Sequence, residues 1–131
     1  MGSNWEKLPK QREICAVMNI ERTDKGAITI LRLEGDIDEL GMNKLRIGLM
    51  DCLHDQRYHV VVNMTKVKFV SYMGVGVLVE RLRQLRTNGG DMKLAGVNLY
   101  TQRLFRMASV HKVFETYESE GQALQAYQEA A

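Results

Sequence analysis

Residues 60–78 read Val-Val-Val-Asn-Met-Thr-Lys-Val-Lys-Phe-Val-Ser-Tyr-Met-Gly-Val-Gly-Val-Leu. The first part, taken from Tyr58 to Met64, is a short and nearly continuous apolar run. Such a run suits a strand covered on both faces. The last part opens a helix, because Val75, Leu78, Leu82 and Leu85 recur at three- and four-residue spacing. Glu80, Arg81, Arg83 and Arg86 are expected off that stripe. Ser71 stands where an N-cap belongs, its hydroxyl able to accept from an orphan N–H of the first turn. Asn88-Gly89-Gly90 supplies the stop. Gly74-Val75-Gly76 lacks the third glycine of a dinucleotide fingerprint and reads as close packing of a helix start on a strand.

Working outward, Ile14–Glu21 is expected as a first strand and Ala27–Leu33 as a second. Asp24-Lys25-Gly26 is the turn that makes them a hairpin. Glu34-Gly35-Asp36-Ile37-Asp38 is a loop. Met42, Leu45, Leu49 and Leu53 then mark an amphipathic helix over about 40–54. Beyond Gly90, a strand is expected over 91–97, a short helix over 99–107 with Leu104 and Phe105 inward, and a strand over 110–117. A last helix follows over 119–131, with Ser119-Glu120-Gly121-Gln122 as a capping box. Strands that alternate with helices imply an α/β domain with mostly parallel neighbours; the hairpin adds an antiparallel part. The expected core is Ile28, Ile30, Leu33, Leu45, Leu49, Val60, Val62, Leu78, Leu82, Leu94, Leu104 and Val113. Residues 1–13 read as a flexible polar leader with one possible anchor in Trp5, and 14–131 as the single domain.

The 131 residues are 45% hydrophobic and 26% charged, with a net charge of +2. That balance is globular, and too even to argue for nucleic acid. No apolar run approaches the ~20 residues of a membrane helix, so no membrane insertion is expected. With no apolar secretory segment at the start, the expected compartment is the cytoplasm. Cys15 and Cys52 fit no metal-ligand spacing, and Cys52 belongs on a helix's apolar face as a reduced core thiol. His54, His59 and His111 have no ligand partners at metal spacing, and His59 reads as a satisfied residue at the start of a strand. No P-loop is present. Hence no cofactor, no metal and no catalysis are expected. Asp36 and Asp38 read as turn or capping carboxylates rather than an acid–base pair.

The stretch 60–78 closely resembles the signature of STAS domains of the anti-sigma factor antagonist (anti-anti-sigma factor) type. In that signature a hydrophobic strand ends in Asp/Asn-Leu, and Asp-Ser-Ser-Gly-Leu-Gly-Val-Leu opens a helix. Glu34–Asp38 is similar to the family's Gly-Glu-Leu-Asp loop. Gly89–Leu94 with Arg103-Leu104-Phe105 is similar to its Gly-Gly strand and Arg-Leu-Phe helix. The resemblance implies a STAS fold: a mixed, mostly parallel sheet with an N-terminal β-hairpin and about four helices. It also implies a bacterial regulator of transcription or stress signalling that binds a protein partner, a kinase-type anti-sigma factor. Asp36, Asp38, Ser71, Tyr72, Met73 and Gly74 would form the partner-binding surface. In the family the serine just before the glycine is phosphorylated, and the partners then separate. That position is Met73 here, Tyr72 replaces the serine before it, and Ser71 replaces the aspartate. A thioether cannot form a phosphoester. Ser71 is the candidate for a displaced acceptor. The alternative function is a non-switching STAS subunit of a larger assembly, such as a phospholipid transporter or stress-signalling scaffold. Homodimerisation stays open.

Overall fold

The computed structural model describes residues 18–130. The leader expected over 1–13 and the strand start expected at Ile14 lie outside them. The described chain forms β1 (Asn19–Lys25), β2 (Ile28–Glu34), α1 (Glu39–His54), β3 (His59–Lys66), α2 (Tyr72–Thr87), β4 (Asp91–Ala95), α3 (Leu99–Met107), β5 (Glu115–Tyr117) and α4 (Glu120–Ala130). The element order is the expected one. The strands make one five-stranded sheet in the order β1-β2-β3-β4-β5. The hairpin pair β1/β2 is antiparallel, and the other three pairs are parallel.

Alternation along the central strands sorts side chains to two faces. Leu31, Leu33, Val60, Val62, Met64, Met92 and Leu94 join one large cluster with Leu45, Leu49 and Cys52 of α1 and Leu78, Leu82 and Leu85 of α2. Ile30, Val61 and Ala95 point the other way and meet Ala123 of α4. The continuous apolar run in β3 therefore serves both layers, at about 1.5–3 kcal/mol for each fully buried side chain. Burial pushes the Cys52 thiol up to about 11, which leaves it protonated and inert.

Five local expectations need correction. Among the described residues β1 begins at Asn19 and runs to Lys25, further along than 14–21. Arg81 is buried rather than off the stripe. Position 81 lies three residues after Leu78 and four before Leu85, so helical spacing puts it on the apolar face despite its charge. Its Nη1 donates to Gln84 Oε1 at 2.7 Å, while its buried Nε has no partner. The last strand is only three residues long. Val110 N donates to Phe105 O and Val113 N to Val110 O, so local turns use the amides that a strand over 110–113 would have paired. His59 is not fully satisfied either, because its buried Nδ1 lacks a partner. Finally, Ile28, Leu104 and Val113 are only partly buried, at the margins of the core.

Candidate functional site

Three parallel strands, β2, β3 and β4, deliver their carboxyl ends to one edge of the sheet, where α1, α2 and α3 begin. Each helix starts by the same local plan. Asp38 Oδ1 accepts from Gly41 N at 2.9 Å, Ser71 Oγ from Gly74 N at 3.0 Å, and Asn98 Oδ1 from Thr101 N at 2.8 Å. All three are N-caps that satisfy an orphan donor of the first turn. The residue receiving the cap is small and buried each time: Gly41, Gly74 or Thr101. The two residues between project outward. Leu40 is 64% exposed, Tyr72 63%, Met73 71%, Leu99 69% and Tyr100 54%.

The small residues are there for space. A Cβ on Gly41 would lie 2.2 Å from the carbonyl oxygen of Asp36, and one on Gly74 would lie 2.9 Å from Ile37 Cγ2. A Cβ on Gly76 would meet nothing within 4 Å. The close-packing expectation therefore holds at Gly74 and fails at Gly76, whose outer face is open.

The loops before α1 and α2 are joined to each other. Ile37 and Val70 form a parallel bridge beyond the ends of β2 and β3. Ile37 N donates to Phe69 O at 2.8 Å, and Ser71 N to Ile37 O at 2.9 Å. Asn98 Nδ2 donates to the carbonyls of Val67 and Lys68 at 3.3 and 3.2 Å, which ties the third helix start to the same loop. Phe69 and Tyr100 stand with ring centroids 6.3 Å apart across that seam.

The residues expected at the site thus come together. Asp36 and Asp38 lie on one loop, Ser71–Gly74 on the next, and the Ile37–Val70 bridge joins them. Asp38 and Ser71 are engaged in capping, which matches the structural role expected of each. Asn63 is half-buried on the α4 face of the sheet instead. Its Nδ2 donates to Glu120 Oε1 at 3.0 Å, and its Oδ1 accepts from Thr65 N and Oγ1. Sequence reasoning missed Leu40, Leu99 and Tyr100. The signal that could have found them is the repeat of cap, two residues, then a small buried residue, at 38–41, 71–74 and 98–101. Among the described residues no group of His, Cys, Asp or Glu could hold a metal ion. No described helix is long and apolar enough to cross a membrane.

The STAS domain family model matches residues 19–123. The chain belongs to the STAS family. The STAS chain is 26% identical over 108 residues to an anti-sigma F factor antagonist of Paenibacillus polymyxa, covering 82% of this chain and 92% of that protein. It shares the fold of an anti-sigma factor antagonist from Mycobacterium paratuberculosis, with a TM-score of 0.75 at 19% identity, over 84% of this chain and 93% of that one. It also superposes on the Bacillus cell fate determinant SpoIIAA in its phosphorylated form, with a TM-score of 0.67 at 17% identity, over 85% and 99% of the two chains. The five-stranded mixed sheet with four helices is the STAS fold expected from residues 60–78.

Proposed function

We propose that this STAS domain is an anti-sigma factor antagonist that binds a kinase-type anti-sigma factor through the edge where α1, α2 and α3 begin. The observation that carries this is the set of exposed apolar side chains at the three capped helix starts, Leu40, Tyr72, Met73, Leu99 and Tyr100. Large exposed apolar side chains gathered on one surface mark interaction sites, and aromatic residues are the commonest anchors. Asp36, Asp38, Ser71 and Gly74 shape the surface, and Tyr72 and Met73 make its centre. The names of the Paenibacillus and Mycobacterium relatives support the class of partner.

The same reading removes the usual off-switch. A phosphoryl acceptor needs a hydroxyl, and Met73 stands at the family's acceptor position with a thioether. Binding is then persistent, and its extent follows the protein's abundance. Two measurements test this. Replacing Tyr72 and Met73 by Asp is expected to abolish binding to the organism's kinase-type anti-sigma factor with circular dichroism unchanged; unaltered affinity refutes the docking surface. With that kinase and labelled ATP, wild type is expected to stay unlabelled, while Met73→Ser, alone or with Ser71→Asp, gains label. Label on Ser71 of wild type would show that the acceptor has moved along the loop, and the persistent antagonist would be rejected.

A further inference from the structure

We propose that Met73 is a site of reversible oxidation, and that its sulfoxide withdraws the docking surface from the partner. The inference rests on the docking reading above and adds a modification that needs no hydroxyl. Exposure separates the described methionines. Met18, Met42, Met64 and Met92 are buried in the core, at 0–7% exposure. Among the described residues Met73 and Met107 are the most open, at 71% and 76%, with Met50 at 38%. Oxidation of thioethers follows access, so peroxide selects Met73 and Met107 while the fold protects the other four.

The two open sulfurs differ in place. Met107 is the last residue of α3, at the opposite end of that helix from its capped start. Met73 lies in the first turn of α2 beside Tyr72, at the mouth of a groove that continues past Gly76 and Val79 to Ala108 and Val110. In the reaction a sulfur lone pair attacks one peroxide oxygen and the O–O bond breaks. An S–O bond forms, and the displaced hydroxide takes up the remaining proton as water. Sulfur is oxidised by two electrons and peroxide is reduced. The product replaces a flexible apolar contact with a strong dipole that must be desolvated on docking. Methionine sulfoxide reductases reverse it.

The test exposes the folded protein to dilute hydrogen peroxide, then to dithiothreitol, which returns oxidised thiols but leaves sulfoxides. Peptide mass mapping is expected to show one added oxygen at Met73 and Met107 before any at Met18, Met42, Met64 or Met92. Oxidised wild type is expected to bind the kinase-type anti-sigma factor about tenfold more weakly, the loss of one hot-spot contact. Reductase treatment restores it. Met107→Leu responds to peroxide as wild type does, whereas Met73→Leu has the same affinity before and after peroxide, whatever that affinity is. Oxidation of Met73 no earlier than of the buried methionines overturns the inference, as does an equal peroxide effect in Met73→Leu. Failure of the reduced wild type to bind any kinase-type anti-sigma factor refutes the docking reading instead, and the inference with it.

Discussion

The starts of α1 and α2 are built alike and present different chemistry. Asp38-Glu39-Leu40-Gly41 and Ser71-Tyr72-Met73-Gly74 share a cap, two outward residues and a glycine pressed against the neighbouring loop. The first start carries two carboxylates and one exposed leucine. The second carries no charge and shows an aromatic ring and a thioether. Local geometry is therefore fixed by the cap and the glycine, and the docking proposal leaves recognition to the two residues between. Substitutions at the outer pair should change binding with the fold intact. Substitutions at the cap or glycine should change the fold first.

The largest expected effect is at Gly41→Ala, where the new Cβ would press on the backbone oxygen of Asp36 at 2.2 Å. Backbone has to move, so a loss of about 3 kcal/mol is expected in chemical denaturation. Gly74→Ala should cost less, because its nearest neighbour is the tip of a side chain, Ile37 Cγ2. Equal losses at the two positions would show that the helix starts are not distinguished by what their glycines touch.

Next come the caps. Asp38→Ala and Ser71→Ala are each expected to lose about 1 kcal/mol, read as a lowered denaturation midpoint with unchanged slope. Gly76→Ala should go the other way, gaining about 0.5–1 kcal/mol, because the site is open and alanine is the better helix former. A loss at Gly76 would mean that its surroundings are tighter than the structure has them.

The smallest effect lies away from all three helix starts. Arg32 donates to both oxygens of Glu120 at 2.8 and 2.9 Å. That hydrogen bonding, with a further one from Asn63, holds the Glu120 carboxyl below its ordinary value of 4.5. A carboxyl with a depressed folded-state pKa stabilises the fold above its unfolded value, and the contribution is lost as pH falls through the folded value. Wild type should therefore lose slightly more stability than Glu120→Gln between about pH 5 and pH 3. Identical acid profiles would remove Glu120 from the account. On the proposed function, anti-sigma factor binding near neutral pH should be the same in both.

Most of the fold was legible because it rests on periodicity. The unbroken run at Val60–Val62 and the stripe Val75–Leu78–Leu82–Leu85 named a two-faced strand and the helix after it. Reading failed where charge and spacing disagreed, as at Arg81, whose helical position outweighs its guanidinium. It failed again at 110–113, where bonds back to Phe105 and Val110 compete with sheet pairing and leave no trace in hydrophobicity. The candidate site was half legible. Asp36, Asp38 and Ser71–Gly74 could be named from the motif. Leu40, Leu99 and Tyr100 are not in the motif; only the repeated spacing of cap, two residues and a small residue marks them, and an exposed apolar residue near a helix start otherwise looks like the edge of a core stripe. Only the parallel order of β2, β3 and β4 puts the three starts on one edge.

The Ile37–Val70 bridge has a further consequence for how fast and how tightly this surface can be used. Backbone pairing extends past the sheet into what would otherwise be two free loops. Free loops lose conformational entropy when a partner orders them, at about 1–2 kcal/mol per residue fixed. Here that ordering is done on folding, so a partner meets a nearly rigid surface and gives up little more than side-chain freedom. Variants of the outer residues should then differ mainly in dissociation rate, with association rates close to one another. The amides of Ile37 and Ser71, though they lie in loops, should exchange with solvent deuterium as slowly as those of a strand.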